Sequence, residues 1–257
     1  MLSCFWKADI MKLPIVLLLF IIGVAIAPFA FAGDLILFET FEDYEVGDDP
    51  AGWDTDNSNY MDVVEDPVKN GEKSLKVECP VDEQDVWFEF GREVQVVSLE
   101  FWIFPSTSNR TLSVLLLNGS VERGEAGPYM GWAAQTPGRI DKYVGGWVAT
   151  GTEFADNEWT YIKIVADTTR SPKSYDIYLG EDRDNLPEEP QEKGLAYRNS
   201  GLTAFDRVLF LGWSNVAGPA YIDDILIYEG EERPSGVFIS VEPVGKLAAK
   251  WSTIKVR

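Results

Sequence analysis

The chain alternates between short apolar runs and turn-forming residues. The runs are rich in β-branched and aromatic residues, Gly, Pro, Asn and Asp separate them, and no amphipathic pattern of a dozen residues occurs between Gly33 and Tyr228. Twelve such runs predict strands, at 35–41, 62–64, 74–78, 85–90, 96–104, 111–117, 129–134, 140–149, 159–167, 174–179, 207–213 and 220–228. Short strands with turns between them are typical of two packed sheets, so the pattern predicts an all-β sandwich.

Alternation within the runs separates a core face from a second face. In the runs 85–90 and 97–104, large apolar side chains occupy every other position, so the residues between them point the other way. This second set includes Trp87, Glu89, Glu100 and Trp102. The run 159–166 is instead apolar on both faces apart from Lys163, which predicts a strand covered on both sides.

The stretch 129–149 predicts a hairpin that turns at 136–138. Its second strand places Tyr143, Gly145 and Trp147 on one face. Glycine beside aromatic rings leaves room for a flat ligand to approach. We therefore treat this hairpin as a candidate ligand platform.

The N-terminal segment predicts export. Residues 13–32 carry no charge, follow Lys12 and end in Ala-Phe-Ala, which is the layout of a cleaved signal peptide with Met11 as a compact start. A run of this length could also be a retained membrane anchor, but the small-residue ending favours cleavage after residue 32. We expect an extracytoplasmic protein that is secreted, periplasmic or on the cell surface.

The composition changes again after the last predicted strand. We predict a sandwich domain at 33–230 and, at 231–257, a linker followed by a basic tail with no acid after Glu242. The tail is either a terminal extension that docks on the acidic domain or stays free of it, or an element for sorting or attachment to the cell surface.

Charge and composition exclude several function classes. The formal net charge is −20, and about −21 without the leader, which disfavours nucleic acid and anionic membranes and is compatible with cations or with plain solubility. The sequence contains no histidine, so Ser-His-Asp and Cys-His catalysis and His-ligated zinc are excluded. Cys79 alone remains after loss of the leader, so no intramolecular disulfide forms.

Three stretches carry a family resemblance: LFETFEDYEVGDDPAGWDT at 37–55, NEWTYIKIVADTTRSPKSYDIYLGE at 157–181 and AYIDDILIYEGE at 220–231. They resemble laminin-G-like jelly rolls of the concanavalin A-like lectin and glucanase superfamily. The resemblance spans 35–229 and implies a two-sheet antiparallel jelly-roll β-sandwich. It leaves function open, because the superfamily includes lectins, carbohydrate-binding modules, glucanases, lyases and adhesion domains.

The resemblance also implies a structural Ca²⁺ between the first and last strands. The matching carboxylates are Glu42 and either Asp223 or Asp224. Ca²⁺ prefers six to eight oxygen ligands, and terminal strands of a sandwich are neighbours. Adjacent residues of a strand point to opposite faces, so we expect only one of the two aspartates to bind the ion. The alternative is that all three are ordinary strand-edge acids.

The resemblance does not extend to catalysis. Laminarinase-type members carry Glu-x-Asp-x-Glu, or a form one residue longer, on one strand face, whereas the similar stretch 153–158 has a first gap of three and places Glu153 and Asp156 on opposite faces. Glu89 and Glu100 could form a carboxylate pair only if their strands are neighbours. We therefore expect no catalytic residues.

Aromatic side chains give the better functional hypothesis, because sugar rings stack on Trp and Tyr while nearby polar groups bind the hydroxyls. The candidate platforms are Trp87, Trp102, Tyr129, Trp132, Tyr143 and Trp147, with polar contacts from Glu89, Glu100 and Arg139. The sequence thus favours a secreted lectin-like module that binds a glycan or polysaccharide. The alternatives are an adhesive envelope protein that contacts a cell-surface protein, and a polysaccharide hydrolase or lyase.

Overall fold

A computed structural model describes residues 33–56, 61–78, 84–109, 111–212 and 218–235. The predicted leader with Met11, Cys79 and the basic tail from residue 236 lie outside the described residues. No helix within the described ranges is long and apolar enough to cross a membrane.

The described residues form fifteen strands, named β1 to β15 in chain order. They are β1 (Leu35–Glu39), β2 (Trp53–Thr55), β3 (Met61–Val64), β4 (Ser74–Val77), β5 (Gln84–Val94), β6 (Val96–Pro105), β7 (Leu112–Leu117), β8 (Tyr129–Trp132), β9 (Arg139–Tyr143), β10 (Trp147–Glu153), β11 (Thr160–Asp167), β12 (Ser174–Gly180), β13 (Glu192–Ala196), β14 (Phe205–Gly212) and β15 (Ala220–Glu229). A 3-10 turn at Arg123–Glu125 follows β7.

The strands build two antiparallel sheets. Sheet A has the order β13-β12-β11-β6-β15-β4-β3, and β1 also pairs with β15. Sheet B has the order β10-β9-β8-β7-β14-β5-β2. Strands distant in sequence are neighbours in both sheets, and β1 pairs with the last strand. The protein is a two-sheet antiparallel jelly-roll β-sandwich, as the sequence predicted.

The core lies between the two sheets. Leu99, Phe101 and Ile103 of β6 are fully buried, as their alternation predicts. The ring centroid of Phe101 lies 6.1 Å from that of Trp132 in β8 and 5.6 Å from that of Phe210 in β14, so side chains of sheet A interdigitate with those of sheet B. Each large side chain buried in this way contributes about 1.5–3 kcal/mol to stability.

Three local differences from the predicted strands have physical causes. The predicted strand 140–149 is two strands, β9 and β10, because residues 144–146 form a turn in which Gly145 has φ 91°. β2 has only three residues, too few for a clear alternation. β13 forms at the end of the charged run 181–193, because an edge strand needs only backbone pairing with β12 and one buried residue, Leu195.

The segment after β15 folds back over the outer face of sheet A, the face turned away from the core. Lys163 donates from Nζ to the backbone oxygen of Glu231 at 2.8 Å, and Arg170 Nη2 lies 2.8 Å from Glu231 Oε1. The start of the predicted linker therefore packs on the sandwich.

Candidate functional site

A lateral row of apolar and aromatic side chains crosses the outer face of sheet B. The strand register places Trp87 opposite Leu209, Leu209 opposite Leu115 and Leu115 opposite Tyr129. Neighbouring strands lie about 4.8 Å apart, so these four residues span roughly 14 Å across the sheet. The two leucines are fully buried, whereas Trp87 is half-buried at its end of the row.

At the other end of the row, Tyr143 and Trp147 join Tyr129 to form the aromatic cluster of these three rings. The two tyrosine rings are stacked with centroids 5.2 Å apart, and Tyr143 pairs across the strands with Trp147. The Trp147 ring lies edge-on to both, at 5.0 Å from Tyr129 and 5.2 Å from Tyr143. Such pairs contribute about 0.5–1.5 kcal/mol each beyond their burial, so the cluster is a preformed surface.

Exposure differs within the aromatic cluster. Tyr129 is 3% exposed, and burial raises its pKa to about 12, so it remains a neutral hydroxyl at the base of the cluster. Tyr143 and Trp147 are half-buried. Gly131 makes room for Trp147: a Cβ at that position would lie 3.1 Å from the indole ring and 2.6 Å from Ser113 Oγ. Gly145, which the sequence suggested for this role, instead belongs to the turn.

Arg198 completes the cluster from a loop. Its guanidinium carbon lies 4.5 Å from the ring centroid of Tyr143 and 5.4 Å from that of Tyr129. The backbone N–H of Arg198 donates to the carbonyl of Gly127 at 2.9 Å, which fixes the loop beside β8. Sequence analysis missed Arg198, because it lies after β13, where no periodic pattern links it to the hairpin. Gly131 could have been found, because it alternates with Tyr129.

Polar candidates on the same face of sheet B are held in ion pairs. Arg139 Nη2 lies 2.7 Å from Glu153 Oε1, and Arg207 Nη1 lies 3.2 Å from Glu89 Oε1. Arg139 pairs with Glu153 of the neighbouring strand β10. Glu89 lies two residues from Trp87 along β5, on the same face of the strand. Both can reach a ligand on this face only by loosening these pairs, which costs about 0–1 kcal/mol for the exposed Arg139–Glu153 pair.

Two predicted platforms are wrong. Trp132 is fully buried and packs against Phe101, because its spacing of three from Tyr129 turns it into the core. Trp102 lies on sheet A, is 3% exposed, and has the ammonium of Lys69 3.9 Å above its ring and Tyr161 at 5.0 Å. Neither ring is exposed on the face of sheet B that carries Trp87 and Tyr129.

Glu100 is also wrong as a ligand contact, because it is fully buried on sheet A. It accepts hydrogen bonds from Tyr161 Oη at 2.5 Å, Tyr228 Oη at 2.6 Å and Arg233 Nη2 at 2.6 Å. Burial would raise its pKa, but the charge of Arg233 and the two hydroxyl donors outweigh burial and lower it. Since Glu89 belongs to sheet B, the two glutamates do not form a carboxylate pair.

A polar cavity of about 310 Å³ opens beside Trp102 on sheet A. Two of its charged groups already have hydrogen-bond partners: Asp182 accepts from Asn185 Nδ2 at 2.6 Å, and Arg183 Nε donates to Tyr161 Oη at 2.9 Å. Asp224 forms part of the lining. This internal pairing indicates a structural role for the cavity walls.

The three predicted metal ligands converge on one loop. Glu42 Oε1 accepts from the backbone N–H groups of Glu72 and Lys73, at 2.9 and 3.0 Å. Asp223 Oδ2 accepts from the N–H groups of Lys69 and Asn70, both at 3.0 Å. These bonds fix the loop 69–73 between the first and last strands.

Both aspartates face that loop, against the expected alternation. The register of β15 on β6 shifts between Asp223 and Leu226, and Asp224 has φ 49°, so a bulge turns Asp224 to the same side. Asn70 contacts both carboxylates, since its Nδ2 donates to Asp224 Oδ2 at 2.6 Å. Burial raises the pKa of Asp223 to about 8, with repulsion from Asp224 as the second cause.

The carboxylate oxygens of these residues fit a divalent cation only in part. Asp223 spends its oxygens on three backbone N–H groups, so Glu42 and Asp224 are the better ligands. Burial and, to a lesser degree, repulsion from Glu42 raise the pKa of Asp224. Across the described ranges no three His, Cys, Asp or Glu side chains come together, so backbone carbonyls and water would have to supply most of the oxygens that Ca²⁺ requires.

Comparisons with solved structures agree with this fold. The cellulose-induced protein Cip1 is 12% identical, with a TM-score of 0.53, over 77% of this chain and 99% of Cip1. A sialidase is 11% identical, with a TM-score of 0.50, over 70% of this chain but only 17% of the sialidase. At these identities the likeness shows the jelly-roll sandwich alone. No protein-family model matches the chain, and no curated protein matches it significantly.

Proposed function

We propose that the protein is an extracytoplasmic, non-catalytic carbohydrate-binding module that holds a glycan on the outer face of sheet B. The aromatic cluster carries the proposal, because Tyr143 and Trp147 are half-exposed and prearranged on paired strands. Sugar rings stack on such surfaces, and the buried Tyr129 keeps both rings in place. Trp87, half-buried at the far end of the row, is a second contact for a longer chain. The name of Cip1, a cellulose-induced protein of the same fold, supports a setting in which polysaccharide is present.

A Ca²⁺ held by Glu42 and Asp224 is the second part of the proposal. The ion would tie the loop 69–73 to the terminal strands and neutralise two carboxylates that repel each other. Its role would be structural, since this loop belongs to sheet A and the aromatic cluster to sheet B. The bulge that turns Asp224 towards the loop supports this assignment.

The test is binding of the purified protein and its Trp147→Ala and Tyr143→Ala variants to a broad glycan panel. Loss of a stacking ring weakens binding by about tenfold or more. Trp159→Ala is the matched control, because Trp159 is a half-buried tryptophan that packs against Phe104 on the other sheet. Thermal melts confirm that each variant is folded.

Failure of the wild type to bind any glycan on the panel would overturn the proposal and favour the adhesive alternative. Equal weakening by Trp147→Ala and Trp159→Ala would also contradict it, because the effect would then come from stability. The hydrolase or lyase alternative has no support from geometry, since Glu89 and Glu100 lie on different sheets and Glu153 is paired with Arg139.

A further inference from the structure

Arg198 differs from the other arginines of the described residues. Each of the others forms an ion pair with a carboxylate, whereas the guanidinium of Arg198 has no carboxylate partner in the described part of the chain and lies on the faces of two tyrosines. In a chain with 42 acidic against 22 basic residues, an arginine without a carboxylate partner stands out.

We propose that Arg198 recognises a negatively charged group on the bound sugar, so that the ligand is an acidic glycan. This inference rests on the proposed function and specifies the ligand class of the same site. The chemistry is the shared one of carboxylate and sulfate ester: both present paired oxygens to which a guanidinium donates two parallel N–H bonds.

The tyrosine rings prepare the guanidinium for this contact. The guanidinium carbon lies 4.5 Å from the ring centroid of Tyr143, and this contact restricts the side chain, so less rotational freedom is lost when its N–H groups bind an anion. Arg198 is half-buried on the ring of Tyr143, whose other neighbour is Trp147, and this partial burial lowers the local dielectric. A sugar stacked on Trp147 would therefore present its substituents to Arg198.

The net charge of the protein makes this recognition local. With a formal charge of −20, the surface as a whole repels a polyanion at long range. Salt at about 0.15 M screens charges beyond roughly 8 Å, but it hardly weakens a direct guanidinium contact in a partly buried site. Binding of an acidic glycan should therefore tighten as salt rises from about 0.01 to 0.15 M, the reverse of binding through a basic patch.

The experiment measures binding of polygalacturonate, its methyl ester and dextran sulfate by titration calorimetry at 0.15 M salt. We expect the wild type to prefer at least one polyanion over the neutral methyl ester by about tenfold or more, and Arg198→Gln to lose that preference. Comparing the affinities for polygalacturonate and dextran sulfate shows whether the site binds a carboxylate or a sulfate ester. Arg92→Gln is the control, because Arg92 is an exposed arginine paired with Asp34 and Glu229.

The outcomes separate the two proposals. A preference that disappears in Arg198→Gln but persists in Arg92→Gln supports the role of Arg198. Preference for neutral glycans, or an acidic preference that survives Arg198→Gln, overturns the role of Arg198 and leaves the glycan site standing. Absence of binding to every acidic and neutral glycan overturns both.

Discussion

Arg233 Nη2 lies 2.6 Å from Glu100 Oε2, so a residue beyond the last strand neutralises a fully buried carboxylate in the centre of sheet A. Lys163 Nζ lies 3.8 Å from the other oxygen of Glu100. The pair joins the segment after β15 to β6, the central strand that pairs with β11 and β15.

We expect Arg233→Met to reduce the free energy of unfolding by about 2–4 kcal/mol, because it leaves a buried carboxylate without its main counter-charge. Glu100→Gln removes that charge, so the double variant should lose less than the sum of the single losses. Urea unfolding of the four proteins measures this coupling. Additive losses would show that Arg233 acts only through packing.

The calcium proposal predicts a higher melting temperature in Ca²⁺ than in EDTA. At a Ca²⁺ concentration 100 times the dissociation constant, the free energy of unfolding gains about 2.7 kcal/mol. Glu42→Gln should abolish the gain, because the amide oxygen still accepts the N–H groups of Glu72 and Lys73 while the charge is lost. Glu39→Gln is the control, since Glu39 also accepts a backbone N–H, that of Phe41, at 2.8 Å. Equal melting temperatures of the wild type with and without Ca²⁺ would end the proposal.

Asp85 predicts a pH dependence of stability. Arg123 donates to it at 3.2 Å, but burial, with repulsion from Asp56 and Glu122, raises the pKa of Asp85 to about 7. The folded state therefore holds this proton more tightly than the unfolded state, whose pKa is about 4. The bound proton therefore stabilises the folded state, and this contribution is complete below pH 4. As pH rises to about 7 the contribution is lost, and the free energy of unfolding falls by up to about 4 kcal/mol.

Asp85→Asn should remove this part of the slope and be relatively more stable at pH 8 than at pH 4. The measurement is the free energy of unfolding of wild type and variant at pH 4.5, 6 and 8. Because other carboxyl groups titrate too, only the difference between the two proteins is informative. A parallel wild-type and Asp85→Asn profile would contradict the prediction.

Gly131→Ala tests the space beneath Trp147. The added methyl group would lie 2.9 Å from Ala134 Cβ and 3.1 Å from the indole ring, so we expect a loss of about 1–3 kcal/mol and weaker glycan binding. Gly146→Ala in the adjoining turn is the control, because nothing lies within 4 Å of its added Cβ. A Gly131→Ala protein with unchanged stability and binding would show that the aromatic cluster does not depend on the close contact between Gly131 and Trp147.

Local patterns predicted the strands better than the site. Alternation in β6 placed Phe101 in the core and Glu100 on the other face, because a strand has a fixed period of two. It could not show that Glu100 is covered, since the cover comes from Arg233, more than a hundred residues away. Similarly, Trp87 and Tyr129 belong to one row only through the register of β14 and β7 between them.

The metal ligands illustrate the same limit. The resemblance placed Glu42 and the Asp223-Asp224 pair together, and the structure brings all three to one loop. Alternation assigned the two aspartates to opposite faces, and a bulge overrides it. A bulge depends on pairing with β6, which a single strand's pattern does not contain.

The pairing of β15 with three strands bears on how the module would resist mechanical load. β15 is a ten-residue strand that pairs with β1, β4 and β6, and Arg233 lies just beyond its end. A pull on the chain after residue 235 would act first on the Arg233–Glu100 ion pair and then along β15. Because β15 forms ladders with β1, β4 and β6, its release would break backbone hydrogen bonds to all three strands, so the end of the chain that follows it is anchored in the middle of sheet A.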